Sequence, residues 1–315
     1  MILITGGLGF IGLHSARAFL DAGESVVLTR YRSSRLPDFL QDELGKRVFI
    51  EPVDMNSPYL IMDVIRKHKP TAIADLFVPR RGTLPPGEDY RVKMDGFLHL
   101  LEAARLGDVP RISHASSLSV YGSVPAGPYD ESLPLPMTSR SETEAFKKAE
   151  EILGNYYASE TGIDVVFLRI GNVYGPLYSR ENRTNARMIR AGMNGTPATW
   201  DGIPGGPPYA EDQDDPLYIK DCARAIQMLT MARNLPSHAY NISGGRAVSY
   251  GELAEAVKGV YPNAQIDLLP GTPPRGHTYV GMDISRIKQD VGWEPQYNID
   301  RGIGEWIDWL QTHPE

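Results

Sequence analysis

Hydrophobic residues in this chain come in short β-branched runs separated by stretches with helical spacing. The runs Ile2–Thr5, Ser25–Thr29, Val48–Ile50, Ala72–Leu76, Arg111–Ala115 and Asp164–Arg169 are short and flanked by polar turns, so they read as strands. Between them, Gly12–Ala22, Tyr59–His68, Lys93–Arg105 and Thr143–Thr161 carry helical periodicity. Strands alternating with helices of this length imply right-handed βαβ units and a parallel sheet, to which Ala239–Ile242 adds a later strand. The expected fold is α/β, a Rossmann-like doubly wound parallel sheet with a smaller C-terminal substrate lobe. Residues 1–175, with about 216–245, form the expected dinucleotide-binding domain, and 176–215 with 246–315 the lobe. The stretch Gly175–Asp215 differs in character, being rich in Gly, Pro and Asn and acidic at Glu211, Asp212, Asp214 and Asp215.

Composition narrows the partners. A hydrophobic content of 42% with 23% charged residues is that of a soluble globular protein. A net charge of −7 disfavours nucleic acid, whose binding depends on neutralising phosphates. No apolar run approaches the ~20 residues that cross a bilayer, so no membrane partner is expected. The single cysteine, Cys222, forms no internal disulfide, and Met1 leads directly into a strand without a signal peptide. A cytoplasmic protein with a small-molecule substrate is expected. Metal is not, because the histidines and the cysteine show no ligand spacing.

The first chemistry-bearing segment is Thr5-Gly6-Gly7-Leu8-Gly9-Phe10-Ile11-Gly12, which follows a strand and opens a helix. Gly6, Gly9 and Gly12 permit a tight turn, close approach to a pyrophosphate and close helix–strand contact, with Phe10 and Ile11 at the helix entrance. The second strand ends in Thr29-Arg30, followed by Arg32, Ser33 and Arg35, where an acid usually meets the ribose of NAD. Arg30 and Arg35 can pair with a 2′-phosphate, which favours NADP over NAD; the other reading is exposed arginines on a loop. Asp54 either bonds an adenine amine or caps a helix.

Together with Leu100–Arg105, Ser116–Gly122, Leu168–Pro176, Tyr240–Gly245, Asp283–Ser285 and Gly292–Pro295, these motifs resemble the extended short-chain dehydrogenase/reductases, specifically their NAD-dependent epimerase/dehydratase branch. The resemblance covers nearly the whole chain and implies an NAD(P)-binding enzyme acting on a nucleotide sugar or similar polyhydroxylated substrate, as a homodimer through Lys93–Arg105 and Thr143–Thr161. That family uses a Ser/Thr, a Tyr and, four residues after it, a Lys that bonds the nicotinamide ribose. The first falls on Ser117. Aligned without gaps on Glu150-Glu151-Ile152-Leu153, the Tyr position falls on Glu142 and the Lys position on Phe146, with Lys147 turned ~100° to another helix face. Lys93 stands where the family often has asparagine, and Asp75-Leu76-Phe77 replaces small residues.

Catalytic candidates are therefore Ser117, Glu142 and Tyr121, with Phe146 against the nicotinamide ribose. Glu142 reads either as a base beside Ser117 or as part of a capping box with Ser139 or Ser141. By the same resemblance Asn172 contacts the diphosphate or sugar, and Arg275 matches a family arginine. Arg187 and Arg190 could also neutralise a diphosphate. His114 reads as a buried core residue. Two other functions stay open: a non-redox lyase or isomerase on this scaffold, and a nucleotide-binding regulatory protein without turnover.

Overall fold

The computed structural model describes residues 1–32, 36–78, 84–178, 183–203, 206–274 and 281–313. Six strands come first: β1 (Ile2–Thr5), β2 (Val26–Arg30), β3 (Val48–Pro52), β4 (Ala72–Asp75), β5 (Arg111–Ser117) and β6 (Asp164–Ile170). Three short strands follow, β7 (Asn172–Tyr174), β8 (Gln213–Asp214) and β9 (Pro216–Tyr218), then β10 (Ala239–Ile242) and β11 (Val248–Ser249). The main sheet has seven strands in the order β10-β6-β5-β4-β1-β2-β3, all paired in parallel. Strand order reverses between β1 and β4, and in such sheets ligands bind at the carboxyl ends beside that reversal.

Strand periodicity sorts the core. Ile2, Ile4, Val26 and Leu28 pack toward α1 (Phe10–Asp21), while Leu3 and Val27 point the other way. The second face is covered by α3 (Pro58–His68), α4 (Pro86–Leu106) and α5 (Glu142–Thr161), which follow the short α2 (Asp38–Gln41). Further on come α6 (Thr184–Asn194), α7 (Ile219–Met231), α8 (Tyr250–Val260), α9 (Ser285–Val291) and α10 (Ile299–Thr312). Helices α7 and α9 join α1, whereas α6, α8 and α10 enclose a separate core with Tyr174, Tyr218 and Trp306. Among the described residues no helix is long and apolar enough to cross a membrane.

Helix α4 begins seven positions before the expected Lys93, with Pro86 in its first turn beside Glu88 and Asp89, residues that suit a helix amino end. The start of α5 is capped by Ser141, whose side chain accepts from Glu144 N, so one half of the second expected capping box forms, while the Glu144 carboxylate turns to Arg140 N and Ser123 N, and Glu142 is the first helical residue. Gly154 lets α5 lie close to the sheet: a Cβ there would sit 2.6 Å from Phe167 Cζ and 3.0 Å from Phe97 Cζ.

Candidate active site

A cleft of about 1270 Å³ opens over the β1–β4 reversal, between the sheet and the α6–α8–α10 lobe. Its size exceeds the roughly 300–1,000 Å³ of a pocket for one small ligand, leaving room for a dinucleotide beside a second molecule.

At one end lies the glycine loop. Gly6 adopts φ +61°, a left-handed conformation that costs a side chain strain, and a Cβ there would also meet Leu76 O at 2.6 Å. A Cβ on Gly12 would lie 2.5 Å from Gly6 O, so loop and helix can approach only without one. Gly9 caps α1 with no side-chain acceptor, leaving the first helical N–H groups to an incoming anion. Gly6, Gly9, Phe10, Ile11 and Gly12 all line the cleft. Thr29 Oγ1 accepts from Gly6 N at 3.0 Å, tying the end of β2 to the loop. Arg30 and Arg32 are exposed at this wall, Arg32 lying 4.9 Å over the Tyr31 ring. Arg35 and Arg275 lie outside the described residues. Asp54 lines the cleft and accepts from Asn56, and Ser57, not Asp54, caps α3.

The middle of the cleft corrects the expected register. Thr143, Phe146, Lys147 and Glu150 line it, a stripe at helical spacing on one face of α5. Two cleft-facing pairs four residues apart lie on this stripe, Thr143 with Lys147 and Phe146 with Glu150, and Lys147 does not turn away. Adjacent Glu150 and Glu151 support two alignments one residue apart. Glu151 is the one that meets Arg169: both its oxygens bond that guanidinium, and Ser116 donates to Oε1 at 2.5 Å. Glu142 stands at the rim, its side chain 46% exposed and paired with Lys93 Nζ at 2.6 Å, and it does not line the cleft. It is a first-turn helix residue in an ion pair, not a base beside Ser117. Phe146 does face the cleft, with the Lys93 ammonium 4.4 Å over its ring and Tyr90 stacked at 4.4 Å. Ser117 lines the cleft too, its hydroxyl 3.1 Å from Ser119 Oγ.

Tyr121 is also a correction. It is 2% exposed, donates to Asn241 Oδ1 at 2.8 Å, accepts from Arg169 Nη1 at 2.8 Å and stacks on Tyr129. Burial outweighs the nearby guanidinium and pushes its phenol up to about 12, so it stays protonated within the core.

Behind the α5 stripe runs a buried chain that sequence reasoning missed. Lys147 Nζ is 2.7 Å from Glu150 Oε2, which is 3.1 Å from His114 Nε2. His114 Nδ1 is 2.7 Å from Asp75 Oδ2, and Asp75 Oδ1 accepts from Thr5 Oγ1 in the strand leading into the glycine loop. Burial disfavours a charged imidazole, but Glu150 and Asp75 outweigh it and hold His114 above its ordinary value. Burial also works against charge on Glu150, which His114 and Lys147 nonetheless hold well below the usual carboxylate range. His114 is in the core, as expected, and is an ionic partner there.

In the lobe half, Asn172 lines the cleft and donates through Nδ2 to Asp214 Oδ1. Burial raises the Asp214 carboxyl, against the lowering effect of that hydrogen bond. The acidic stretch is therefore not a single exposed patch. Asp214 faces the cleft, while the fully buried Asp215 binds Ser243, Gly244 N and Met282 N. Arg190 does not line the cleft, and Arg187 is committed to Thr199 and Asp201; among the described residues the cleft arginine in this lobe is Arg183. No group of three or more His, Cys, Asp or Glu among the described residues is gathered as a metal site.

Comparison with known proteins agrees with this geometry. A dTDP-glucose 4,6-dehydratase of Streptomyces niveus is 28% identical over 328 residues, covering 99% of this chain and 93% of that protein. A putative UDP-glucose 4-epimerase of Methanocaldococcus jannaschii is 25% identical over 99% of both chains. The UDP-glucose 4-epimerase of Thermus thermophilus, solved with NAD, superposes with a TM-score of 0.80 at 25% identity over 99% of each chain. Residues 2–243 match the NAD dependent epimerase/dehydratase family, and with the glycine loop, the strand order and the cleft in place, the chain belongs to that family.

Proposed function

We propose that this protein binds NADP or NAD in the glycine-loop end of the cleft and acts on a nucleotide sugar or a similar polyhydroxylated substrate in the lobe end. The observation that carries this reading is the shared cleft: the glycine loop, Ser117 and Lys147 all line it. When bound, the nicotinamide supplies the hydride acceptor and donor. Gly6, Gly9 and Gly12 with the amino end of α1 would hold the pyrophosphate, and Lys147 the nicotinamide ribose. Arg30 and Arg32, at a strand end without a carboxylate, favour the 2′-phosphate of NADP. Ser117 orients a substrate hydroxyl. Asn172 and Asp214 offer it a donor and an acceptor.

Thr143 supports one further reading. An aliphatic hydroxyl cannot ionise near neutrality as a phenol can, so the site suits chemistry whose proton is carried by Lys147, including a non-redox elimination or isomerisation. A homodimer and a cytoplasmic location belong to the same proposal. Leu98 and Leu106 on α4 and Ile152 and Tyr156 on α5 are exposed apolar side chains on adjoining helices, which a second copy would cover. The lone Cys222 is buried and suits a reducing compartment.

Titration with NAD(H) and NADP(H), followed by UDP-glucose and dTDP-glucose carrying deuterium at the sugar carbons, tests the proposal. Binding together with isotope transfer to or from the cofactor is expected. Sugar conversion without such transfer would select the non-redox reading, and failure to bind either dinucleotide would remove both.

A further inference from the structure

Glu150 holds two cations on one oxygen. Lys147 Nζ and His114 Nε2 both approach Oε2, at 2.7 and 3.1 Å, while the opposite nitrogen of His114 meets Asp75 Oδ2 at 2.7 Å. Both ring nitrogens thus face carboxylate oxygens, and only the doubly protonated ring can donate to both. Among the described residues no other charged group is placed against the ring: β4 contributes Asp75, α5 contributes Glu150 and Lys147, and α4 and β6 contribute the uncharged Phe97 and Phe167. Asp75 is committed elsewhere as well, accepting from Thr5.

We propose that His114 is a positioning residue, the reserve counter-ion of Glu150, which keeps that carboxylate ionised and in place when Lys147 turns toward the cofactor ribose. The inference rests on the proposed role of Lys147 and adds a linkage to it. With a neutral ring, the bare Nε2 would oppose the Glu150 oxygen, and this buried carboxylate would have Lys147 as its sole counter-ion. Lys147 would then be held back from the cleft. With a charged ring, Glu150 stays paired whatever Lys147 does. The ammonium and the imidazolium also repel each other across the shared oxygen, and Lys147 in its present place weakens the hold of His114 on its proton. Movement of Lys147 toward the cleft therefore tightens that hold. By reciprocity, a proton on His114 strengthens cofactor binding.

The test follows the His114 imidazole by ¹⁵N NMR across pH in the wild-type protein, free and saturated with NADP⁺ or NAD⁺, the signal being assigned with His114→Gln. Saturation is expected to raise the midpoint by about half to one unit, matched by a roughly three- to tenfold tighter Kd on the acid side of the titration. His114→Gln should remove that pH dependence of Kd. A wild-type midpoint indifferent to the nucleotide overturns the inference. Lys147→Met separates the two levels. If it leaves Kd unchanged, the role of Lys147 fails; if it weakens Kd while the wild-type midpoint does not move, only the reserve counter-ion fails. Absence of binding by either dinucleotide overturns both.

Discussion

Replacing Lys147 by methionine keeps most of the side-chain volume and removes the ammonium, and it separates the two registers of α5. If Lys147 holds the nicotinamide ribose, the loss of one charged hydrogen bond is about 1.5–3 kcal/mol. That is roughly a 10- to 150-fold rise in the Kd of NAD(P)(H). The fold should survive, because Glu150 keeps His114 as a partner at 3.1 Å. The stability cost is expected at ~1–2 kcal/mol, below the ~3–5 kcal/mol of a fully orphaned buried charge. Phe146→Leu is the companion variant. It loses the stacking on Tyr90 and the Lys93 contact, each at 4.4 Å, and should cost ~1–2 kcal/mol of stability with less than about a threefold change in Kd. Isothermal titration gives the affinities and urea unfolding the stabilities. A Lys147→Met protein that binds within about twofold of wild type, or a larger loss of binding in Phe146→Leu, would refute the assignment.

Three further outcomes are expected. Gly12→Ala places a methyl 2.5 Å from Gly6 O and 2.8 Å from Gly7 Cα, backbone atoms that cannot rotate aside. Titration should show more than about tenfold weaker dinucleotide binding, and unfolding a loss of ~1–3 kcal/mol. Arg169→Met strips Glu151, 5% exposed, of its guanidinium and Tyr121 of its donor, and urea denaturation should record ~3–5 kcal/mol lost. Acid should destabilise the fold through Glu150: its folded carboxyl lies below the ordinary 4.5, so its contribution is present above 4.5 and is lost as pH falls toward about 2. His114, raised above 6.5, contributes in the opposite sense, fully below 6.5 and progressively less as pH rises from there through its folded value. Urea midpoints measured across pH should fall toward acid in the wild type and flatten in Glu150→Gln.

The parallel sheet and the glycine loop were legible because their signals are local. Each strand is a contiguous run, and the loop's constraints fall on glycines within eight positions of one another. Helix α7 had a readable signal as well, with Cys222, Ala225, Ile226 and Leu229 buried at helical spacing, yet it is absent from the expected elements. Helix α5 shows what a one-dimensional reading lacks. Glu150 and Glu151 are identical side chains about 100° apart around the helix, and choosing between them requires knowing which meets Arg169 and which meets His114. The buried chain from Thr5 to Lys147 was hidden for the same reason. Its five members come from β1, β4, β5 and α5, up to 145 positions apart, and no spacing rule joins them. Asp214 and Asp215 repeat the difficulty, since neighbours in an acidic run take opposite fates once a strand turns one toward the cleft.

Gly154 gives the site a vertical coordinate. A glycine inside a helix costs about 1 kcal/mol relative to alanine, and here the missing methyl lets α5 settle onto Phe97 and Phe167, the same rings that flank His114. Glu150 lies one turn toward the amino end of Gly154 and Lys147 about one turn beyond that. The height of the helix at Gly154 thus sets how far both side chains must reach, one down to the histidine and the other out to the cleft. Lifting the helix by the width of a methyl group would loosen the ionic chain without touching any of its members, which makes the strength of this site a property of how closely one helix rests on one sheet.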